Sequence, residues 1–236
     1  MSIRYEERLS DSPYVETIMH GWTESDGSTV RPAESHWHMV LRRLNGTVDF
    51  LVVGPWMRAG VISYTEGAEL IWIKFKLGTF LPHLPTRHLL DSEMILPGAS
   101  GKSFWLKDSA WQFPTHENAD TFVDRLAREG LLARDEVVNA VLDEQPIVAA
   151  ERTVRHRFLQ ATGMAYNHIR QIERARGAAA LLEQGVSILD VVEQGGYFDQ
   201  PHLTRALKQW VGKTPAQILR IGESGGTCHL IQDDLL

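Results

Sequence analysis

Two segments of the 236-residue chain repeat each other at a fixed offset of 49 residues, and this repeat limits the folds open to the C-terminal part. The segments are 152–169 and 201–218. Similar residues recur at matching positions: Val154 and Leu203, Phe158 and Leu207, Gln160 and Gln209, Gly163 and Gly212, and Ile169 and Ile218. In each copy a short amphipathic helix with basic residues ends at a glycine, and a second helix begins after it. Two copies of one helical unit predict a device that contacts an extended partner twice, and the basic residues make nucleic acid the first candidate.

The distribution of charge separates the repeat from the rest of the chain. The net charge is −6, yet residues 147–221 hold 10 Lys and Arg against 6 Asp and Glu, a local +4. The remainder holds 14 basic and 24 acidic residues. Opposite signs favour a basic binding module joined to an acidic partner domain. A simply solvated surface could carry the same +4, so charge leaves both interpretations open and the motif must decide.

Short β-prone runs fill the first 115 residues and are separated by Gly, Pro, Asn and Asp. The runs that read as strands are HWHMVLRRL, TVDFLVVGPW, AGVISYT and ELIWIKFKL. In the last run Ile71, Ile73 and Phe75 alternate with Trp72 and Lys74, so the two sets are predicted on opposite faces. Several short strands at this spacing predict a small barrel or sandwich.

The chain is therefore predicted to be an α+β protein in four parts. Residues 1–115 form a β-rich domain, 116–146 a helical connector, 147–221 an all-α domain with two helix-turn-helix units, and 222–236 a tail. One cysteine, Cys228, leaves no internal disulfide and fits a reducing cytoplasm. No stretch approaches about 18 consecutive apolar residues, so we expect no membrane span.

The segment 187–210 has the proportions of a helix-turn-helix. Ser187 is a good N-cap for the first helix, Gly195 and Gly196 form the turn, and Asp199 caps the second helix. The stripe predicted to be buried holds Leu203, Ala206, Leu207 and Trp210. The side chains left facing outward are Gln200, His202, Arg205, Lys208 and Gln209. Glutamine suits adenine, arginine suits guanine, and Lys208 is better placed for phosphate.

Both copies together resemble the C-terminal domain of AraC-type transcription regulators, over about residues 147–221. The matching elements are Arg-Thr-Val…Arg-Phe (152–158), Ala-Thr-Gly (161–163), Ala-Leu-Leu (180–182), Gly-Tyr-Phe-Asp (196–199) and Gly-Lys-Thr-Pro (212–215). The resemblance implies two helix-turn-helix units on a linker helix that enter successive major grooves, about 34 Å apart. Carried over by position, it directs these residues toward DNA: Arg152, Arg155 and His156 in the first copy, and Gln200, Pro201, His202 and Arg205 in the second.

Two positions depart from the pattern of that family. Pro201 occupies a reading position but has no donor, so only an apolar base contact is open to it. The segment DEQPIVAAE (143–151) contains Pro146 and no clear cap, so the first scaffold helix is predicted to be short. We therefore expect base specificity to rest on the second unit, and the first unit to contact phosphate more than bases.

The resemblance further implies an N-terminal domain, often a cupin-like β-barrel, that binds an effector or mediates dimerisation. These features together predict a cytoplasmic one-component transcription regulator that binds double-stranded promoter DNA and responds to a small molecule or partner. A homodimer is plausible, since DNA readers often pair. The candidate effector-binding residues are His36, His38, Trp56 and Trp72.

His36 and His38 also invite a metal interpretation, because alternate residues of a strand can ligate one ion. No Glu or His follows at the spacing of a cupin metal site, and a His pair beside Trp37 also suits packing. We therefore assign no metal and no cofactor. The competing class is a metal-dependent cupin-like enzyme with a vestigial DNA-binding module. The chain has no Gly-x-Ser-x-Gly elbow, glycine-rich phosphate loop or paired-cysteine zinc motif, so we do not expect an enzyme.

Overall fold

The computed structural model describes residues 3–223, and these residues form two compact units. The first unit comprises residues 3–27, 36–55 and 64–165. The second comprises residues 28–35, 56–63 and 166–223. Two short segments from the strand-rich part of the chain thus belong to the same unit as the C-terminal helices.

Thirteen strands are found among the described residues. They are β1 (Ile3–Leu9), β2 (Val15–Thr23), β3 (Gly27–Arg31), β4 (His38–Leu44), β5 (Thr47–Val53), β6 (Gly60–Tyr64), β7 (Glu69–Phe75), β8 (Thr79–Phe80), β9 (Glu93–Leu96), β10 (Gly98–Ser100), β11 (Ser103–Leu106), β12 (Ser109–Gln112) and β13 (Ala133–Arg134). A 3₁₀ turn, Thr86–Leu89, interrupts them. The four runs predicted as strands correspond to β4, β5, β6 and β7.

The largest sheet has six strands in the order β1-β2-β7-β4-β5-β9, and its pairs are antiparallel. Ile71, Ile73 and Phe75 join the hydrophobic core on one face, as the alternation predicts. Trp72 and Lys74 project from the other face, where they are 7% and 6% exposed. Burial of both faces explains why the strand is apolar except at Glu69 and Lys74.

Seven α-helices follow or separate these strands in the described chain. They are α1 (Ala119–Arg128), α2 (Glu136–Leu142), α3 (Glu151–Thr162), α4 (Tyr166–Glu183), α5 (Ile188–Gln194), α6 (Gln200–Trp210) and α7 (Pro215–Glu223). Helix α1 is amphipathic and packs Phe122, Val123 and Leu126 into the core of the first unit. None of the helices between residues 3 and 223 is long and apolar enough to cross a bilayer.

The 49-residue repeat of the sequence is also a repeat of structure. Helix α3 begins at Glu151 and α6 begins at Gln200, which is the same offset. Gly163 and Gly212 follow the two helices with φ of 74° and 78°, a left-handed conformation that favours glycine. After each glycine the next helix, α4 or α7, begins at the corresponding position. The predicted pair of helical units is therefore present.

The structure confirms the α+β class, with a strand-rich N-terminal part and a helical C-terminal part. The sensory role of the strand-rich part, its likeness to a cupin barrel and the four domain ranges stay predictions. The predicted tail, 222–236, begins within α7. Residues 224–236, including Cys228, lie outside the described residues.

Candidate nucleic-acid interface

Helices α5 and α6 form the second helix-turn-helix unit. The Ser187 hydroxyl caps α5 by accepting a hydrogen bond from the Asp190 N–H at 3.2 Å. The Asp199 carboxylate caps α6 by accepting from the His202 N–H at 2.7 Å. Pro201 lies in the first turn of α6, where its missing N–H costs nothing. The sequence therefore specifies both helix starts through local hydrogen bonds.

The inner face of α6 is apolar and its outer face is polar, as predicted. The buried residues are Leu203, Ala206, Leu207 and Trp210. The exposed residues are Gln200, Pro201, Arg205, Lys208 and Gln209. An amide, a guanidinium and an ammonium group thus share the solvent face of one helix, and this set suits base edges and phosphates.

His202 differs from the other predicted contacts because it is only partly exposed. Its Nδ1 accepts a hydrogen bond from the Phe198 N–H at 3.4 Å. Its ring also meets the Tyr197 ring edge-on, with centroids 5.2 Å apart. Since Nδ1 is an acceptor, Nε2 carries the proton of the neutral ring and is the donor left for DNA. His202 therefore also orders the turn that precedes α6.

Tyr197 anchors that turn in the second unit. It is 6% exposed, and the Arg174 guanidinium lies 4.5 Å from its ring centroid. Burial raises the pKa of the Tyr197 hydroxyl, and this effect outweighs the opposite effect of Arg174. The phenol thus stays neutral at physiological pH.

Phe198 is a candidate contact that the sequence reasoning did not single out. It lies between buried Tyr197 and the cap residue Asp199, and its side chain is 91% exposed. A large apolar side chain so exposed at the start of a reading helix is suited to contact a thymine methyl group. The sequence signal for this contact is the dipeptide Tyr197-Phe198. The turn buries one of the two adjacent aromatic rings and leaves the other exposed.

Helices α2 and α3 form the first helix-turn-helix unit. Asp135 caps α2 by accepting from the Val137 and Val138 N–H groups at 3.0 and 3.1 Å. Its second oxygen accepts from Arg157 Nε on α3 at 2.8 Å. One largely buried carboxylate thus fixes the scaffold helix and connects it to the reading helix. The scaffold helix has seven residues, as α5 does, and ends before Pro146. The prediction of a shortened scaffold helix without a cap is therefore wrong, because the cap residue Asp135 precedes the segment 143–151.

The three predicted DNA contacts of α3, Arg152, Arg155 and His156, are exposed. Arg155 pairs with Glu151 one turn earlier, and both side chains are more than three-quarters exposed. Arg157 does not share their role, because Asp135 holds it. The solvent face of α3 therefore combines basic groups with the amide of Gln160, as that of α6 combines them with the amides of Gln200 and Gln209.

The C-terminal end of α3 is attached to the strand-rich part of the first compact unit, to which α3 itself belongs. The Thr86 hydroxyl donates to the Ala161 carbonyl at 3.1 Å, and Thr86 is 3% exposed. A Cβ placed on Gly163 would lie 3.1 Å from the Thr86 carbonyl carbon. Glycine at this position therefore permits both the turn and the close approach.

The structure places the four candidate effector residues in different elements. His38 and Trp72 lie on the same face of the sheet, because His38 is opposite Lys74 and Val40 is opposite Trp72. His36 lies just before β4, with Nε2 3.1 Å from a Glu16 carboxylate oxygen. Trp56 belongs to the second compact unit. The described part of the chain has no cluster of three or more His, Cys, Asp or Glu residues able to hold a metal ion.

Residues 148–221 match a family model described as a helix-turn-helix domain. The matched range contains α3 to α6 and most of α7. The whole second helix-turn-helix unit and the first reading helix, α3, therefore lie inside it. Neither a curated protein nor a solved structure matches the chain.

Proposed function

We propose that this chain is a DNA-binding transcription regulator of the AraC type that reads promoter DNA through the helix-turn-helix domain at residues 148–221. In this mechanism α3 and α6 each enter a major groove. The observation that carries the proposal is the structural repeat: two helices start 49 residues apart, end at left-handed glycines and expose polar faces.

The second unit carries most of the base readout in this proposal. Gln200 and Arg205 are exposed. The Gln200 amide offers the donor and acceptor pair that suits an adenine edge, and the Arg205 guanidinium offers the two donors that suit guanine. His202 offers its Nε2 donor, and Phe198 offers an apolar surface at the start of α6. Lys208 follows one turn further along α6, at a position suited to a phosphate.

The first unit contributes mainly phosphate contacts. Its exposed face has Arg152, Arg155 and His156, and Glu151 competes with DNA for Arg155. Phosphate contacts strengthen binding to every sequence and make it sensitive to salt. The first unit thus positions the protein, and the second unit selects the site.

Selection of bound sequences from a random DNA pool, at two salt concentrations, tests this mechanism. We expect an enriched motif whose strongest positions lie in one part, with weaker enrichment about one helical turn away. We also expect affinity to fall steeply as salt rises, because Lys and Arg displace condensed cations. Absence of enrichment with the full-length protein at both salt concentrations would refute the proposal.

Regulation by a small molecule bound to the strand-rich part is a further element of the proposal. His38 and Trp72 support it, because a polar ring and an indole share one sheet face. A double variant, His38→Gln with Trp72→Leu, should abolish the change in operator affinity that any active compound produces in the wild type. Metal analysis addresses the alternative: stoichiometric iron, manganese or zinc that a His36/His38 double variant loses would favour a metal-dependent enzyme.

A further inference from the structure

Two short segments of the strand-rich part, 28–35 and 56–63, form a ribbon within the second compact unit. The backbones of Glu34 and Trp56 exchange hydrogen bonds of 3.0 and 2.8 Å. Strands β3 and β6 pair further along the ribbon. The Arg31 guanidinium lies 3.1 Å from the centroid of the Trp56 ring, a cation–π contact that joins the two segments again.

The ribbon binds the C-terminal end of the reading helix α6. The Ala33 N–H donates to the Trp210 carbonyl at 2.7 Å, and the Ala59 N–H donates to the Gln209 carbonyl at 3.0 Å. The last carbonyls of a helix have no partner within the helix, so each strand of the ribbon supplies one. A Cβ on Gly212 would lie 2.4 Å from Val30 Cγ1, so a glycine is required where the ribbon meets the helix end.

The ribbon also binds α4, the long helix that precedes the second helix-turn-helix unit. Glu34 and Arg176 form an ion pair of 2.9 Å whose side chains are only 4% and 11% exposed. The Ser35 hydroxyl donates to a Glu173 carboxylate oxygen at 3.3 Å. His168 lies with Nε2 3.3 Å from the Met57 carbonyl oxygen.

These contacts fix α6 against α4 through a third element. His168 shows the geometry most directly, because its ring also meets the Trp210 ring edge-on at 4.7 Å. One imidazole thus contacts the ribbon through Met57 and the end of α6 through Trp210. A shift of the ribbon along its own axis would move its N–H donors away from the carbonyls of α6.

We propose that the ribbon is the positioning element of the second reading helix. This proposal rests on the function proposed above for α6. Glu34 and Arg176 are its positioning residues, since neither lies on the solvent face of α6. In chain order each segment of the ribbon lies directly between strands of the six-stranded sheet: β2 and β4 flank the first, β5 and β7 the second.

Exchange of the Ala33 and Ala59 amide hydrogens measures the ribbon directly, because these two N–H groups donate to α6. In the wild-type full-length protein we expect slow exchange at both. Arg176→Gln leaves the Glu34 carboxylate buried without its charged partner, which should accelerate exchange at both amides by about 100-fold. The double variant Glu34→Gln with Arg176→Gln removes both charges and should recover most of this effect.

DNA binding by the same variants supplies the readout that a merely structural contact would not change. Arg176→Gln should reduce about tenfold or more the discrimination at base pairs that an Arg205 substitution also affects. Discrimination at base pairs read by α3, and affinity for random DNA, should stay within about twofold of the wild type. Arg176→Lys keeps the charge without the planar fork and should fall between Arg176→Gln and the wild type.

Arg42→Gln is the matched control. It breaks an ion pair of 2.7 Å between β4 and β5, outside the ribbon, and should leave exchange at Ala33 and Ala59 unchanged. Unchanged exchange at both amides in Arg176→Gln would overturn the proposal. Equal acceleration in α1, α3 and α6 would also overturn it, because the ion pair would then be a general stability contact. Amide hydrogen exchange is measured without DNA. A wild-type protein that shows no sequence preference would therefore reject the proposed function, and exchange at Ala33 and Ala59 would still test the role of the ribbon.

Discussion

Replacement of Asp135 by alanine should destabilise the first helix-turn-helix unit by about 2–3 kcal/mol, because one carboxylate makes two kinds of contact. One oxygen accepts from the Val137 and Val138 N–H groups and caps α2. The other accepts from Arg157 Nε at 2.8 Å. The Asp135 side chain is 10% exposed and that of Arg157 is 43% exposed.

The two contacts can be separated by the choice of substitution. Loss of an N-cap costs about 1 kcal/mol. A hydrogen bond to a charged partner contributes about 1.5–3 kcal/mol when buried, and the lower end applies here because Arg157 is partly solvated. Asp135→Asn keeps an oxygen for the cap but loses the charge that holds Arg157. It should therefore cost about 1–2 kcal/mol, less than the alanine substitution.

Amide hydrogen exchange in α2 and α3, supported by urea unfolding, measures these differences in the full-length protein. Arg155→Ala is the control, because its ion pair with Glu151 is highly exposed and should contribute less than about 0.5 kcal/mol. An asparagine variant as unstable as the alanine variant would show that the cap contributes nothing separable. An alanine variant within about 0.5 kcal/mol of the wild type would refute the reasoning for both contacts.

Four further substitutions test other parts of the account. Arg205→Ala should cost about 1–3 kcal/mol in operator binding and relax the specificity at one base pair. Lys208→Ala should weaken binding to all sequences and reduce the slope of log affinity against log salt by about one. Titrations of operator and random DNA at several salt concentrations distinguish the two variants. Phe198→Ser should reduce the preference for thymine at one position without lowering the melting temperature, since the side chain is 91% exposed; binding to thymine- and uracil-containing operators, which differ by the methyl group, checks this. Thr86→Val should lower the free energy of unfolding by about 1 kcal/mol, because the Ala161 carbonyl loses its buried donor; chemical denaturation measures the loss, and no change would mean that the hydroxyl is dispensable.

Local signals predicted the second unit well. Ser187 and Asp199 cap α5 and α6 as expected, and the apolar spacing from Leu203 to Trp210 gave the buried face. These features depend on neighbours within a few residues, so the sequence alone contains them. The exposure of Phe198 was not predicted, because the burial of Tyr197 beside it depends on Arg174 of another helix.

The attachments of the two reading helices could not be predicted. The ribbon binds α6 through the backbone N–H groups of Ala33 and Ala59, which every residue type except proline possesses. Thr86 binds the end of α3 across 75 residues of sequence. Such contacts bring together segments that are distant in sequence and leave no periodic pattern. Trp56 illustrates the result: the sequence predicts it at the end of the strand run 47–56, whereas β5 ends at Val53 and Trp56 lies beside Arg31 in the second compact unit.

The central claim is that α3 and α6 contact separate parts of one operator, and motif selection with two variants tests it most directly. Full-length wild type, Arg152→Ala/Arg155→Ala and Arg205→Ala would be selected against the same random DNA pool. The account predicts that Arg205→Ala loses information only in the strongly specified part of the motif. The α3 double variant should keep that part and lose affinity mainly through phosphate contacts. Loss of the same base positions in both variants, or an unchanged motif in Arg205→Ala, would contradict the account.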